Sequence, residues 1–70
     1  NTVSPGPVDT MKDAARYPAG WQAQRAAHIP LKRIAHVDDI AEACLYLASD
    51  QSGYISGQCL HVNGGEHMYY

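Results

Sequence analysis

The residues best placed to do chemistry sit close to Asn1: Pro5-Gly6-Pro7, followed three residues later by Thr10. Proline removes competing backbone donors and Gly6 lets another group approach closely. A helix starting at Thr10 would leave N–H groups for an anion. The same residues also suit a plainer role, with Pro5-Gly6-Pro7 as a strand terminator and Thr10 as an N-cap. Thr10 can serve both, since capping leaves its hydroxyl spare hydrogen-bonding capacity. Further on, Met11, Tyr17 and Trp21 could line an apolar pocket, and Arg16, Arg25 and His28 could meet a carboxylate or phosphate. Each could equally be ordinary surface packing. Four His and two Cys invite a metal reading. Neither C-x₂-C nor H-x₃-H spacing occurs among them, so no metal site is expected.

The elements that would position these residues follow from pattern. Thr2 and Val3 favour a strand that Pro5 and Pro7 stop. Thr10-Met-Lys-Asp13 reads as a capping box opening a short helix toward Arg16. Pro18-Ala-Gly20 breaks it, and Trp21 to about His28 forms an Ala-rich helical stretch ended by Pro30. Val37 to Ser49 is the strongest helix, with Asp38, Asp39, Glu42, Tyr46 and Ser49 on one stripe and apolar residues elsewhere. Its first turn carries Asp38 and Asp39, as the helix dipole favours, and Gly53 is expected to close it. His36 stands where a better capping residue is usual, so it caps weakly or senses charge. Tyr54 to Val62 reads as a strand ended by Asn63-Gly64-Gly65, residues that tolerate positive φ.

Strand, helical excursion, long helix and strand together make a right-handed crossover between two parallel strands. Parallel sheets are covered on both faces, and a helix this apolar needs burial on more than one side. Seventy residues cannot supply that, so the chain reads as a piece of something larger. Five Lys and Arg against seven Asp and Glu, a formal charge of −2, exclude a basic nucleic-acid or anionic-membrane footprint. No run approaches the roughly 18–20 apolar residues of a membrane span, and no secretory signal is seen. Cys44 and Cys59 read as reduced, buried thiols, which with the missing signal suggests the cytoplasm.

Taken in series, the residues resemble a family. Asn1-x-Val-x-Pro5-Gly6-x-x-x-Thr10 resembles the segment after the sixth strand of short-chain dehydrogenases/reductases. Pro30-Leu-x-Arg33, Asp39-Ile-Ala-x-Ala43, Leu47-Ala-Ser-Asp50, Tyr54-Ile-x-Gly57-Gln58 and His61-Val-Asn-Gly64-Gly65 resemble its ending, in order and spacing. The likeness is to 3-oxoacyl-reductase-like and alcohol-dehydrogenase-like members. It implies an α/β fold: the C-terminal strand–helix–strand part of a Rossmann-type doubly wound parallel sheet, incomplete in this chain. The implied division is strand and cofactor loop over 1–10, substrate-binding lid over 11–30, helix and last strand over 31–65, and tail over 66–70.

The resemblance implies hydride transfer between NAD or NADP and a carbonyl or hydroxyl substrate. Pro5-Gly6 would shape the cofactor turn, Val8 would be a backbone ligand and Thr10 a hydroxyl ligand. Met11, Tyr17 and Trp21 would belong to the lid. The family's Tyr-x-x-x-Lys is absent, because Tyr17, Tyr46 and Tyr54 are followed at i+4 by Trp21, Asp50 and Gln58. The glycine-rich dinucleotide turn and the catalytic Ser segment are absent too, so no catalytic residue is expected here. Implied partners are the remainder of the enzyme polypeptide, a small-molecule substrate, and further copies in a dimer or tetramer. The copies would meet through the 37–48 helix and the 58–62 strand. An alternative of another class is a non-catalytic fragment docking on a related oxidoreductase chain. A third is one product of a nick before Asn1, still held in the folded enzyme.

Overall fold

The computed structural model describes residues 1–10 and 18–68. The expected capping box over 10–13, and Met11, Arg16 and Tyr17, lie wholly or partly outside the described residues. Strand β1, Thr2–Pro5, stops at the first proline, as expected, and pairs in parallel with β4, Cys59–Val62. The register sets Thr2 against Cys59 and Pro5 against Val62. Between them, β2 (Val8–Asp9) and β3 (Ala35–His36) form a second parallel ladder that hydrophobic patterning over two residues could not reveal. Helix α1 spans Trp21–Ala26 and α2 spans Val37–Ala48.

Helix α1 starts from Gly20 in a left-handed conformation and winds out through His28 and Ile29 before Pro30. Lys32 reaches back to donate from Nζ to the Ala27 carbonyl at 2.8 Å, answering one of the acceptors a helix end leaves open. Helix α2 has a cap that histidine was expected to supply only weakly. His36 Nδ1 accepts from the Asp38 N–H at 3.2 Å, and Asp39 Oδ2 accepts from the His36 N–H at 2.8 Å. Arg33 clamps the same carboxylate, Nη1 to Oδ2 at 2.8 Å and Nη2 to Oδ1 at 3.3 Å. Arg33, then the His36 N–H, hold the Asp39 carboxyl at about 2 rather than 3.8.

A carboxylate whose folded value is depressed stabilises the fold fully above its unfolded value and loses that effect as pH falls through the folded one. Stability of the full-length protein carrying this chain is therefore expected to exceed that of its Asp39→Asn variant above pH 3.8. The gap should close as pH drops toward about 2. Chemical denaturation of both proteins across that range checks it. A gap that stays constant would mean that the charge on Asp39 is not what supports the cap.

Two expectations are corrected. Gly53 does not close α2, since its φ of −62° is right-handed. The helix ends at Ser49, whose Oγ donates to the Tyr46 carbonyl, and a 3-10 turn over Asp50–Ser52 follows. There Ser52 is buried and its Oγ donates to the Leu47 carbonyl at 2.9 Å and the Ser49 carbonyl at 3.0 Å, so two serines finish the work assigned to a glycine. The last strand is also shorter than Tyr54–Val62, because Gly57 turns at positive φ and strand pairing begins only at Cys59. The Asn1 amide braces that loop, donating to the Ile55 carbonyl and accepting from the Gln58 N–H.

Burial is sparse. Ile29, 1% exposed, is the one buried apolar side chain among the described residues. No residue of α2 is buried, and Leu45 is 70% exposed. Cys44 and Cys59 are unpaired but exposed rather than buried, because nothing among the described residues covers the outer side of α2 or the start of β4. The molecule measures 43 × 26 × 15 Å, and its least dimension leaves room for about one helix layer on a sheet. Among the described residues no helix is long and apolar enough to cross a membrane.

Candidate functional site

β1 ends where the chain must turn, and the turn builds one wall of a cleft of about 680 Å³. Pro5, Gly6, Pro7 and Val8 form that wall, while Trp21, Gln24, Arg25 and His28 of the α1 segment face it, with Glu66 between. Three of the four expected cofactor-loop residues are thus gathered with Trp21 of the expected lid. Arg25 and His28 join them. Thr10 is exposed just beyond β2 and does not line the cleft.

The peptide groups of Val8 are available in a specific direction. Ala35 donates its N–H to the Pro7 carbonyl at 3.0 Å, and successive residues of a strand address opposite edges. The N–H and C=O of Val8 therefore face away from β3, at a residue that lines the cleft. The close approach that Gly6 permits is seen within the chain itself. A Cβ there would fall 2.7 Å from Asn63 Cβ and 2.8 Å from Asn63 Cα. The close approach is to the chain's own Asn63 turn, and the Gly6 N–H donates to the Val62 carbonyl at 2.9 Å.

That turn is built by Asn63-Gly64-Gly65. Asn63 Oδ1 accepts from the Gly65 N–H at 2.9 Å and its Nδ2 donates to the His67 carbonyl at 3.0 Å. Gly64 and Gly65 take φ of +63° and +92°, the left-handed region expected of them. Ile29 Cγ2 and the Pro30 ring lie so close to these two glycines that side chains there would collide with them. The turn delivers Glu66 to the cleft, where Arg25 grips it with two hydrogen bonds, Nε to Oε2 at 2.9 Å and Nη2 to Oε1 at 3.0 Å. The Glu66 side chain is 17% exposed, and Arg25 holds its carboxyl below the ordinary carboxylate range.

Glu66 was missed in the sequence, where it fell in the tail. An acidic residue directly after a Gly-Gly turn was the available signal, but nothing in sequence pairs it with an arginine 41 positions earlier. Among the described residues no three His, Cys, Asp or Glu side chains cluster closely enough to hold a metal ion.

A parallel β-helix-β unit with a cleft beyond the carboxyl end of its first strand fits a Rossmann-type α/β sheet. The model of the family described as enoyl-(acyl carrier protein) reductase matches residues 1–67. The chain belongs to this family of short-chain dehydrogenases/reductases. It is 44% identical over 71 aligned positions to the 3-oxoacyl-(acyl-carrier-protein) reductase FabG of Escherichia coli, covering 97% of this chain and 28% of that protein. It is 38% identical to the glucose and ribitol dehydrogenase homolog of Oryza sativa, covering 93% of this chain and 22% of that one. A short-chain dehydrogenase/reductase from Brucella melitensis superposes with a TM-score of 0.83 at 28% identity, over 96% of this chain and 27% of that one. The NADH-dependent reductase A1-R′ of alginate metabolism superposes at 0.69 with 37% identity, over 96% and 23%. The chain thus spans about a quarter of the length of the relatives it matches.

Proposed function

We propose that this chain supplies two walls of the active site of an NAD(P)-dependent oxidoreductase. One is the loop that receives the nicotinamide end of the cofactor, the other the lid over the substrate. The observation that carries the reading is the cleft in which Pro5–Val8 faces Trp21, Arg25 and His28. The nicotinamide fits the donor set: Val8 turns its peptide N–H and C=O away from the ladder, a pair complementary to a carboxamide. Pro5-Gly6 sets the turn, and Thr10, exposed outside the cleft, would offer its hydroxyl to the cofactor beyond the nicotinamide ring. When bound, the nicotinamide would give hydride to a carbonyl carbon in its reduced form, or take hydride from a hydroxyl-bearing carbon in its oxidised form. This chain's residues bind and orient, and the lid excludes water from the cleft.

The acid–base chemistry belongs to the remainder of the polypeptide, which the reading takes as the chain's first partner. A dimer or tetramer assembled through α2 and the 58–62 strand fits the exposure of Val37, Leu45, Tyr46 and Leu60. The reading places the whole protein in the cytoplasm.

Titrating NADH and NADPH into the full-length protein tests the cofactor loop. Val8→Pro deletes the N–H that faces away from β3 and is expected to weaken binding about tenfold, the loss of roughly one good hydrogen bond. Val8→Ala keeps that N–H and should bind within about twofold of the parent. Thr10→Ala is expected to weaken binding about three- to tenfold. Equal affinity for all four proteins would remove the loop from the cofactor site.

A further inference from the structure

Both walls of the cleft lean on one short turn. On the loop side, Gly6 lies against Asn63 so closely that not even a methyl group would fit between them. On the lid side, the α1 segment meets the same turn twice, once where Ile29 packs on Gly64 and once where Arg25 grips Glu66. The backbone beneath that carboxylate is itself fixed. The Glu66 N–H donates to the Asn63 carbonyl at 3.1 Å, and Asn63 is held by two side-chain hydrogen bonds. A six-residue helix starting from glycine, with no side-chain cap at its N-terminus, has little hold of its own.

We propose that Glu66 is a positioning residue: through its two-point contact with Arg25 it holds α1 at a fixed distance from the Pro5–Val8 loop, so that cofactor loop and lid move as one. The coupling to the lid rests on the cofactor-and-lid reading above; the mechanical link itself does not. Ile29 on Gly64 forms the hinge and Arg25–Glu66 the latch. With the latch open, α1 stays attached at its Pro30 side and gains freedom to move at its Trp21 side. Trp21 then loses its fixed placement along the cleft, while His28 stays beside the hinge.

Hydrogen exchange in the full-length protein tests this, comparing the peptides covering residues 5–10, 18–28 and 37–48. Glu66→Gln and Arg25→Gln are each expected to speed exchange in 18–28 about three- to fivefold, the scale of one partly exposed ion pair. The 37–48 peptide should not change. The double exchange Arg25→Glu with Glu66→Arg should return 18–28 to within about twofold of the parent. Raising salt from about 0.05 to about 1 M should loosen 18–28 in the parent and leave the single variants unmoved. NADH alone should protect both 5–10 and 18–28 in the parent, but 5–10 only in Glu66→Gln.

Unchanged exchange in 18–28 in the single variants would overturn the latch. So would faster exchange spread equally over 37–48, which would make the pair a general stabiliser. Absence of NADH protection at 5–10 in the parent would count against the cofactor reading, while the exchange without NADH still decides the latch.

Discussion

Replacing Gly6 by alanine in the full-length protein is expected to lower stability by about 1–3 kcal/mol and to weaken nicotinamide-cofactor binding with it. The reason is space rather than backbone freedom, since Gly6 is not among the residues at positive φ. The added carbon would lie 2.7 Å and 2.8 Å from Asn63 Cβ and Cα. Neither atom belongs to the far end of a flexible side chain. Either the Pro5–Val8 loop lifts or the Asn63 turn yields. The first breaks the Gly6 N–H bond to the Val62 carbonyl, and the second disturbs the seat of Glu66 and Ile29. Thermal unfolding and NADH titration of Gly6→Ala measure both effects. A variant that keeps parental stability and affinity would show that the loop and turn do not depend on that contact.

Ile29→Ala is expected to cost about 2–5 kcal/mol, the range for emptying a buried aliphatic site. Ile29 is 1% exposed and its Cγ2 lies against the backbone of Gly64. Little nearby can collapse into the gap, because Gly64 has no side chain to move. The Leu31 N–H bond to the Gly64 carbonyl, 3.1 Å, ties the same two segments by backbone and should strain as the apolar contact is lost. Denaturant unfolding of the full-length variant reads the loss, and Ile29→Val should retain most of the stability, falling by about 0.5–1.5 kcal/mol. A drop below about 0.5 kcal/mol for the alanine would mean that this side chain is not what joins lid and turn.

What could be read from sequence was what local rules govern. The stripe from Asp38 to Ser49 located α2 to within a residue, and the Asn63-Gly64-Gly65 turn declared itself through residues that accept positive φ. Serial motifs led to the family, and Pro5 and Gly6 line the cleft. Features that depend on distant partners stayed hidden. Ser49 and Ser52 replace Gly53 as the finish of α2 because hydroxyls can take up the last carbonyls, which composition does not announce. The β2–β3 ladder is two residues long, below the reach of any periodicity. That the group lying close to Gly6 is Asn63, far along the chain, was not legible locally. Glu66 became part of the site only when the fold set it beside Arg25.

The pairing of β1 with β4 also fixes an order of events during synthesis. Asn1 and Gln58, joined at the mouth of that ladder, are 57 positions apart. At about 5–20 residues per second, a ribosome that has made β1 needs between roughly 3 and 11 s more to deliver its partner strand. Over that interval the β1 edge facing β4 is open to whatever other strand it meets. The proline that closes the strand has no N–H to offer another strand and makes that end a poor template for such encounters. The closing proline of β1 thus limits stray pairing as well as turning the chain into the cleft.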